Sequence, residues 1–208
     1  AGDIIGIGPY PDETVKMVMS IPNLIAVRGN HEKYLLEGMP SHYPNEEGMG
    51  YDEMEYHKWE HRRLSKSSIE FLRGLPYHVE FNEYGRSISV MHYCMNHENQ
   101  YINYTPNPNK SSLLRMFPDM EQDVVIYGHD HARTIYCNDN RWFVNSGSLG
   151  CPAGEKDIAR AAILEITENG DTFVRSIDVK YDVSKVLKDI NELRYPAFEE
   201  IKSVFFGV

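Results

Sequence analysis

Two histidines two positions apart, His129 and His131, close the run Ile126-Tyr127-Gly128-His129-Asp130-His131. They follow the apolar stretch Val124 to Tyr127, which reads as a short buried strand. Alternation along an extended chain puts residues two apart on one side, so both imidazoles can face a single point. Imidazoles converging just past a strand end are the beginning of a metal site. Alone the pair says little, because solvated or capping histidines share this spacing. Three more strand ends carry similar chemistry: Val27 runs into Gly29-Asn30-His31-Glu32, Met91 into His92, and Val144 into Asn145-Ser146-Gly147-Ser148-Leu149-Gly150. Near the start, Gly2-Asp3 sets a carboxylate ahead of the Gly-rich stretch Ile4 to Pro9.

In open α/β sheets, ligands bind beyond the carboxyl ends of the strands, so these ends can line one crevice. Asp3, Asn30, His92, His129 and His131 make a mixed oxygen and nitrogen donor set. Such a set suits Mn, Fe or Zn better than Mg or Ca, which prefer all-oxygen shells. Two cations a few ångströms apart need a bridging carboxylate, and Asp3 is the natural candidate. A metal pair of that kind lowers the pKa of a bound water and clamps both oxygens of an in-line displacement at phosphorus.

The elements that must position these groups follow from pattern. Pro11 to Ser20 reads as a helix with Pro-Asp-Glu in its first turn, and Leu24 to Val27 as a buried strand. A helix starts at Glu32, and Met39 to Gly50 is a Gly-, Pro- and Asn-rich loop. Tyr51 to Leu64 is helical but polar on most sides, so His57 and His61, four apart, read as a solvated face. Ser67 and Glu70 form a capping box for a short helix that Gly74 and Pro76 close. A hairpin spans Val79 to Met91 with its turn at Asn82-Glu83-Tyr84-Gly85, and Tyr93 to Asn109 is a long aromatic loop. Its Tyr93, Tyr101 and Tyr104 could stack a ring, although a packed loop is the commoner use of such a cluster. His97 lies in the same loop. Ser111 to Phe117 is a short helix; strands follow at 124–127, 134–137 and 142–144, and a second hairpin turns at Glu168-Asn169-Gly170-Asp171. Helices at Val183–Leu193 and Ala197–Phe205 complete an α/β sandwich of two sheets with helices outside.

Composition narrows the classes. At 208 residues and 41% hydrophobic content the chain can build one well-cored domain. No run approaches the roughly 18 apolar residues of a membrane span. The net charge of −10 disfavours nucleic-acid polymers, whose affinity normally comes from basic stripes, but allows phosphate chemistry where metal ions supply the positive charge. Cys94, Cys137 and Cys151 are widely spaced without a CxxC pair, which fits reduced thiols and a cytoplasmic setting.

In order, Gly2-Asp3, Gly29-Asn30-His31-Glu32, His92 and Gly128-His129-Asp130-His131 resemble the motifs of the calcineurin-like metallophosphoesterase superfamily, over residues 2 to about 152. Gly8-Pro9 and the Asn-Ser-Gly-Ser-Leu-Gly turn bring the chain nearest the small bacterial and archaeal phosphodiesterase branch. The resemblance implies a four-layer α/β/β/α sandwich of two mixed sheets flanked by helices. Residues 1–208 would form a single domain, with residues 39–66 as a loop-and-helix cap inserted in it. It implies two divalent ions, Mn foremost with Fe, Zn or Ni as alternatives, and a small phosphodiester or phosphomonoester as substrate. Asp3 would bridge; Asn30, His92 and His129 would hold the second ion; His131 would help hold the first. His31 would face the substrate as the acid for the leaving oxygen, and Glu32 would orient His31 or raise its basicity.

Two departures shape further expectations. The family's Asp-x-His element lies upstream of Gly-Asp, so the chain reads as N-terminally incomplete, lacking the first strand, and the site around His129 should be better formed than that around His131. Tyr93 stands where the family commonly has Gly after its His, which should narrow the pocket rim. A catalytically impaired scaffold of the same fold, binding a protein partner, is the alternative class. A Ser/Thr-type protein phosphatase is a third reading, for which the chain is small and lacks an evident basic peptide groove. Self-association into a homo-oligomer is compatible with the sequence.

Overall fold

The computed structural model describes residues 1–40, 51–96, 98–102 and 105–208. His97, Tyr104 and nearly all of the Met39–Gly50 loop lie outside them. Strands β1 (His78–Glu83) and β2 (Arg86–Met91) pair antiparallel. Their turn tightens to Tyr84-Gly85, both with positive φ (46° and 75°), the two-residue geometry that matches strand twist. β2 runs parallel to β3 (Val124–Ile126), and β3 parallel to β5 (Arg141–Asn145). β4 (Thr134–Asn138) closes the edge antiparallel to β5, giving the mixed order β1-β2-β3-β5-β4. The parallel trio β2, β3, β5 therefore delivers His92, the Gly128 loop and the Ser146 loop side by side. A second sheet pairs β6 (Ile158–Ile166) with β7 (Thr172–Lys180).

The two sheets share a core. Ile88, Val90, Val124 and Val144 of the larger meet Ala162, Leu164, Ile166 and Val174 of the smaller. The opposite face of the larger sheet presents Met91, Val125, Tyr127 and Phe143 to Leu113 and Met116 of α5 (Lys110–Met116) and to Phe117 beside it. Strand alternation assigns these faces, and each fully buried aliphatic or aromatic side chain contributes about 1.5–3 kcal/mol. The mixed α/β sandwich expected from the sequence is thus the observed architecture.

Helices α1 (Pro11–Met19), α2 (Asn30–Glu37), α3 (Tyr51–His61), α4 (Lys66–Gly74) and α6 (Val183–Glu192), with the short α7 (Phe198–Ile201) and its π-helical continuation Lys202–Phe206, surround one end of the molecule. None of the described helices is long and apolar enough to cross a membrane.

Three local expectations need correction. Leu24 to Val27 is not a strand: it runs without ladder pairing, and Ile25 is half exposed. An apolar run favours burial, but a strand also needs a neighbour to pair with, and none of the described strands pairs with it. The N-cap of α4 is Ser65 rather than Ser67; its Oγ accepts from Ser68 N, and Asp12 of α1 reinforces the start by accepting from Ser65 N and Ser68 Oγ. Finally, α3 is not a solvated helix. It buries Tyr56, His57, Trp59 and Glu60, the aromatic pair against Tyr195, Ile190 and Ile201.

Candidate metal centre

Four donor atoms converge beyond the strand ends. Nε2 of His92 lies 2.9 Å from Asn30 Oδ1, 3.1 Å from Asp3 Oδ2 and 3.2 Å from His129 Nδ1, and His129 Nδ1 lies 3.0 Å from Asn30 Oδ1. Among the described residues, Asp3, His92 and His129 are the carboxylate and imidazole donors drawn to one point, with the Asn30 amide oxygen added. Separations near 3 Å are what neighbouring ligands show around an ion bound at about 2.0–2.2 Å.

The hydrogen bonding behind these atoms tests whether a cation fits. His92 Nδ1 is 2.7 Å from the Ala1 carbonyl, which can only accept, so Nδ1 carries the hydrogen and a neutral ring has its lone pair on Nε2. That lone pair faces the Asp3 and Asn30 oxygens, three acceptors that a cation, or a hydrogen on His129 Nδ1 3.2 Å away, must reconcile. A divalent ion resolves the conflict, and the donor set fits one. With a proton as the only cation, burial works to lower the His92 pKa, but the Asp3 carboxylate outweighs it and the pKa rises. Burial, reinforced by charge on His92, drives His129 down to about 3, leaving it a neutral ligand. Asp3 is buried, which opposes ionisation, yet His31 and His92 hold its carboxyl far below the usual range.

Backbone geometry is bent to make this approach. Asp3 and His129 both take left-handed conformations, at φ 53° and 67°, an uncommon choice that clusters at functional sites. Gly29 touches the Asp3 carboxylate so closely that any Cβ there would collide with it. His31 N, in the first turn of α2, donates to Asp3 Oδ1 at 3.1 Å.

Glu32 serves this geometry in an unexpected way. Its carboxylate accepts from the backbone N–H groups of Asp3, Ile4, Ile5 and Gly29 at 2.8–3.0 Å. Both oxygens are therefore committed to main chain, and they fasten the 2–5 segment to α2. Burial and the nearby Asp3 charge push its pKa up while the amide hydrogens oppose that shift. A second buried carboxylate, Glu60 of α3, continues the suspension. It accepts from Gly6 N (2.9 Å), Gly8 N (2.8 Å) and the Tyr195 hydroxyl (2.7 Å), and burial raises its pKa to about 7. Sequence pattern gave no signal for Glu60, because its partners sit as far as Tyr195.

His131 stands apart from the four donors. It lines the same cavity, about 350 Å³, with Asp3, Asn30, His31 and His129, and its ring faces Phe205 at 6.2 Å. The loop between the two histidines is pinned by Asn145, whose Nδ2 donates to the Asp130 carbonyl at 2.6 Å and whose Oδ1 accepts from Gly147 N. Asp130 turns its carboxylate to Asn107 N and Ala132 N. Tyr93 does not narrow the cavity; its buried ring supports His129 at 4.9 Å and its hydroxyl accepts from Thr105 N. Tyr101 lies parallel to the His129 ring at 6.0 Å and edge-on to His92 at 5.7 Å, so it packs behind ligands instead of offering a free stacking face. Burial pushes the Cys94 and Cys151 thiols up to about 12, well away from nucleophilic thiolates.

Comparison with known proteins identifies the fold and the family. The uncharacterized protein MJ0912 of Methanocaldococcus jannaschii is 26% identical over 217 residues, covering 94% of this chain and 80% of its own length. The crystal structure of the hypothetical protein PH1004 from Pyrococcus horikoshii superposes with a TM-score of 0.81 at 20% identity, covering 100% of this chain and 83% of the other. A metallophosphoesterase from Sphaerobacter thermophilus gives 0.73 at 22% identity, covering 100% and 86%. These two share the fold. The family model of the calcineurin-like phosphoesterase superfamily domain matches residues 1–169, which takes in every converging donor, and the chain belongs to that superfamily.

Proposed function

We propose that the chain is a metal-dependent hydrolase of small phosphoesters, with diesters as its preferred substrates. The observation that carries this is the meeting of Asp3, Asn30, His92 and His129 donors at the floor of a cavity that His31 also faces. Asp3, Asn30, His92 and His129 would hold one divalent ion, with Asp3 and His131 available to a second; Mn is the first choice, with Fe, Zn or Ni as alternatives. Bound divalent ions supply an activated water and positive charge for the phosphoryl oxygens. The chain supplies the rest. Among the described residues His31 Nδ1 is buried without a hydrogen-bond partner, and Nε2, 3.6 Å from Asp3 Oδ2, is the nitrogen placed to deliver a proton to the departing oxygen. Glu32 fixes the Asp3 backbone and the start of α2, and so sets where His31 stands.

The walls favour a small, singly charged ester. Ile7, Tyr34, Tyr56 and Phe205 line the cavity, its carboxylates are Asp3, Asp130 and Glu200, and among the described residues no Lys or Arg lines it, Arg160 lying in the larger adjoining hollow. A dianionic or polyphosphorylated substrate would bring more negative charge against Asp130 and Glu200, which hold no metal in this reading. The test is Mn-dependent cleavage of bis(p-nitrophenyl) phosphate against p-nitrophenyl phosphate, with EDTA as control. A higher kcat/KM for the diester is expected; no cleavage of either with any divalent metal would overturn the reading. Replacing His31 with Ala should lower kcat by about 10²- to 10⁴-fold at unchanged metal content. A parallel loss of metal would sink its role as proton donor.

One observation favours a second reading. His131 lies outside the converged donors, as it would in a scaffold that binds a partner without turnover. Full occupancy by two ions, measured by elemental analysis, excludes that reading. The small size of the cavity and the lack of a Lys or Arg among its described lining residues speak against a phosphoprotein substrate. Three free thiols suit a reducing, cytoplasmic compartment.

A further inference from the structure

His31 is surrounded by contacts that do not hold its ring by hydrogen bonds. Its Nδ1 is buried with no hydrogen-bond partner among the described residues, and the Glu32 carboxylate beside it in sequence is engaged by four backbone N–H groups. A proton donor must nevertheless keep its ring within a fraction of an ångström of the leaving oxygen, because small misplacements cost large factors in rate.

Tyr34 of its own helix meets the His31 ring edge-on at 5.9 Å and Asp3 Oδ2 lies 3.6 Å from its Nε2; two further packing contacts lead to α3. The first is His57, whose ring centroid lies 4.7 Å from that of His31 at an interplanar angle of 42°. His57 is fully buried, boxed by Tyr34 at 5.5 Å and Tyr56 at 4.7 Å, and neither of its ring nitrogens meets a hydrogen-bond partner among the described residues. An imidazole buried without a described partner for either nitrogen is a costly choice in a helix otherwise docked by Tyr56 and Trp59, and the His31 ring is what it packs against. The second contact is Gly6. A Cβ on Gly6 would come within 2.6–2.9 Å of three His31 ring atoms, so the bare backbone of Gly6 lies directly on the imidazole. Gly6 is held there by its N–H bond to Glu60, three residues beyond His57 on α3.

We propose that His57 is the positioning residue of His31, and that α3 clamps the imidazole twice: directly through the His57 ring, and through Glu60, which presses Gly6 onto it. The segment expected from sequence to be a cap over the pocket thus sets the aim of the proton donor. The inference rests on His31 being that donor. It assigns His57 no contact with substrate or metal, and His57 does not line the cavity.

The test separates the clamp from the role of His31. Ring ¹H–¹³C correlations of His31 are recorded in the metal-free protein, wild type and His57→Ala, with assignment by His31→Ala. A shifted or broadened His31 signal in His57→Ala is expected; an unchanged one overturns the clamp, whatever His31 does in catalysis. In the metal-loaded enzyme, His57→Ala should lose about ten- to hundredfold in kcat with KM and metal content unchanged, with larger losses for alkyl than for p-nitrophenyl leaving groups. His57→Phe, which keeps a ring of similar size, should restore most of the rate. In the double variant His31→Ala/His57→Ala the loss should equal that of His31→Ala alone; multiplicative losses overturn the clamp. If His57→Ala does not fold, His57→Leu keeps the volume without the ring and must show the same loss. An inert His31→Ala would instead remove the proton-donor reading and leave the spectroscopic result to decide the clamp.

Discussion

Asn145 illustrates how much a single amide can hold. It spans the Asp130 carbonyl and Gly147 N, and so sets the path of the His129–His131 loop. Asn145→Ala removes both bonds from a buried site and should cost about 1–3 kcal/mol in urea unfolding. Because the loop carries a ligand, affinity for Mn should fall about 10- to 100-fold in a metal titration. Unchanged affinity would show that the loop keeps its shape without the amide. Of the converging side chains, Asn30, His92 and His129 were legible in the sequence because each comes just after an apolar run, whereas Asp3 precedes one. The supports were not. The family resemblance implies that Glu32 orients His31, yet its oxygens reach backbone up to 29 positions away. Nothing local to Glu60 or His57 announces burial, since Glu60 is enclosed by Gly6, Gly8 and Tyr195, and His57 packs on His31 and Tyr34 of α2.

Among the elements, α3 makes the most distinctive prediction, because it buries two titratable groups of opposite tendency. Burial, reinforced by charge on His31, holds His57 down to about 2, below its unfolded value of about 6.5. Its neutral form therefore contributes stability that is present above pH 6.5 and lost as pH falls. Burial raises Glu60 to about 7, so its contribution is full below the unfolded value of about 4.5 and is lost as pH rises through 7. Between about pH 4.5 and 6.5 the two slopes, each near 1.4 kcal/mol per pH unit, oppose one another. His57→Phe should unmask a fall in stability with rising pH across this window, and Glu60→Gln a fall with decreasing pH. Denaturant unfolding at several pH values reads both; parallel profiles for the two variants would refute the assignment. Strands β3 and β5 were readable from their apolar runs. The similar run at 24–27 was not, because hydrophobicity reports burial and not pairing. In the β5 layer, Phe143→Ala, removing a fully buried ring between the larger sheet and α5, should cost about 3–5 kcal/mol.

For the molecule as a whole, an acidic chain with a carboxylate, an amide and two imidazoles around one point should be metal-stabilised. Mn at 100 times its Kd should add about 2.7 kcal/mol to the unfolding free energy, seen as a rise in Tm that EDTA reverses. His92→Ala should abolish most of that rise. An unmoved Tm in the wild type would mean that the site does not bind the ion. The layers of the fold were visible in the sequence as hairpins and apolar runs, and the crevice as the common fate of several strand ends. The order β1-β2-β3-β5-β4 was not, because ladder partners are chosen by packing across the whole sheet.

The suspension of residues 3–8 from two buried carboxylates has a consequence for motion. Six amides outside any strand, those of Asp3, Ile4, Ile5, Gly6, Gly8 and Gly29, end on Glu32 or Glu60. Loop amides ordinarily exchange with solvent quickly, through local openings of low free energy. Here exchange requires a carboxylate to leave its cage, so these amides should be protected, and in two groups: Gly6 and Gly8 released when α3 undocks, the others only when α2 does. Hydrogen exchange followed by NMR would then register the docking of α3 in a part of the chain that α3 does not contain.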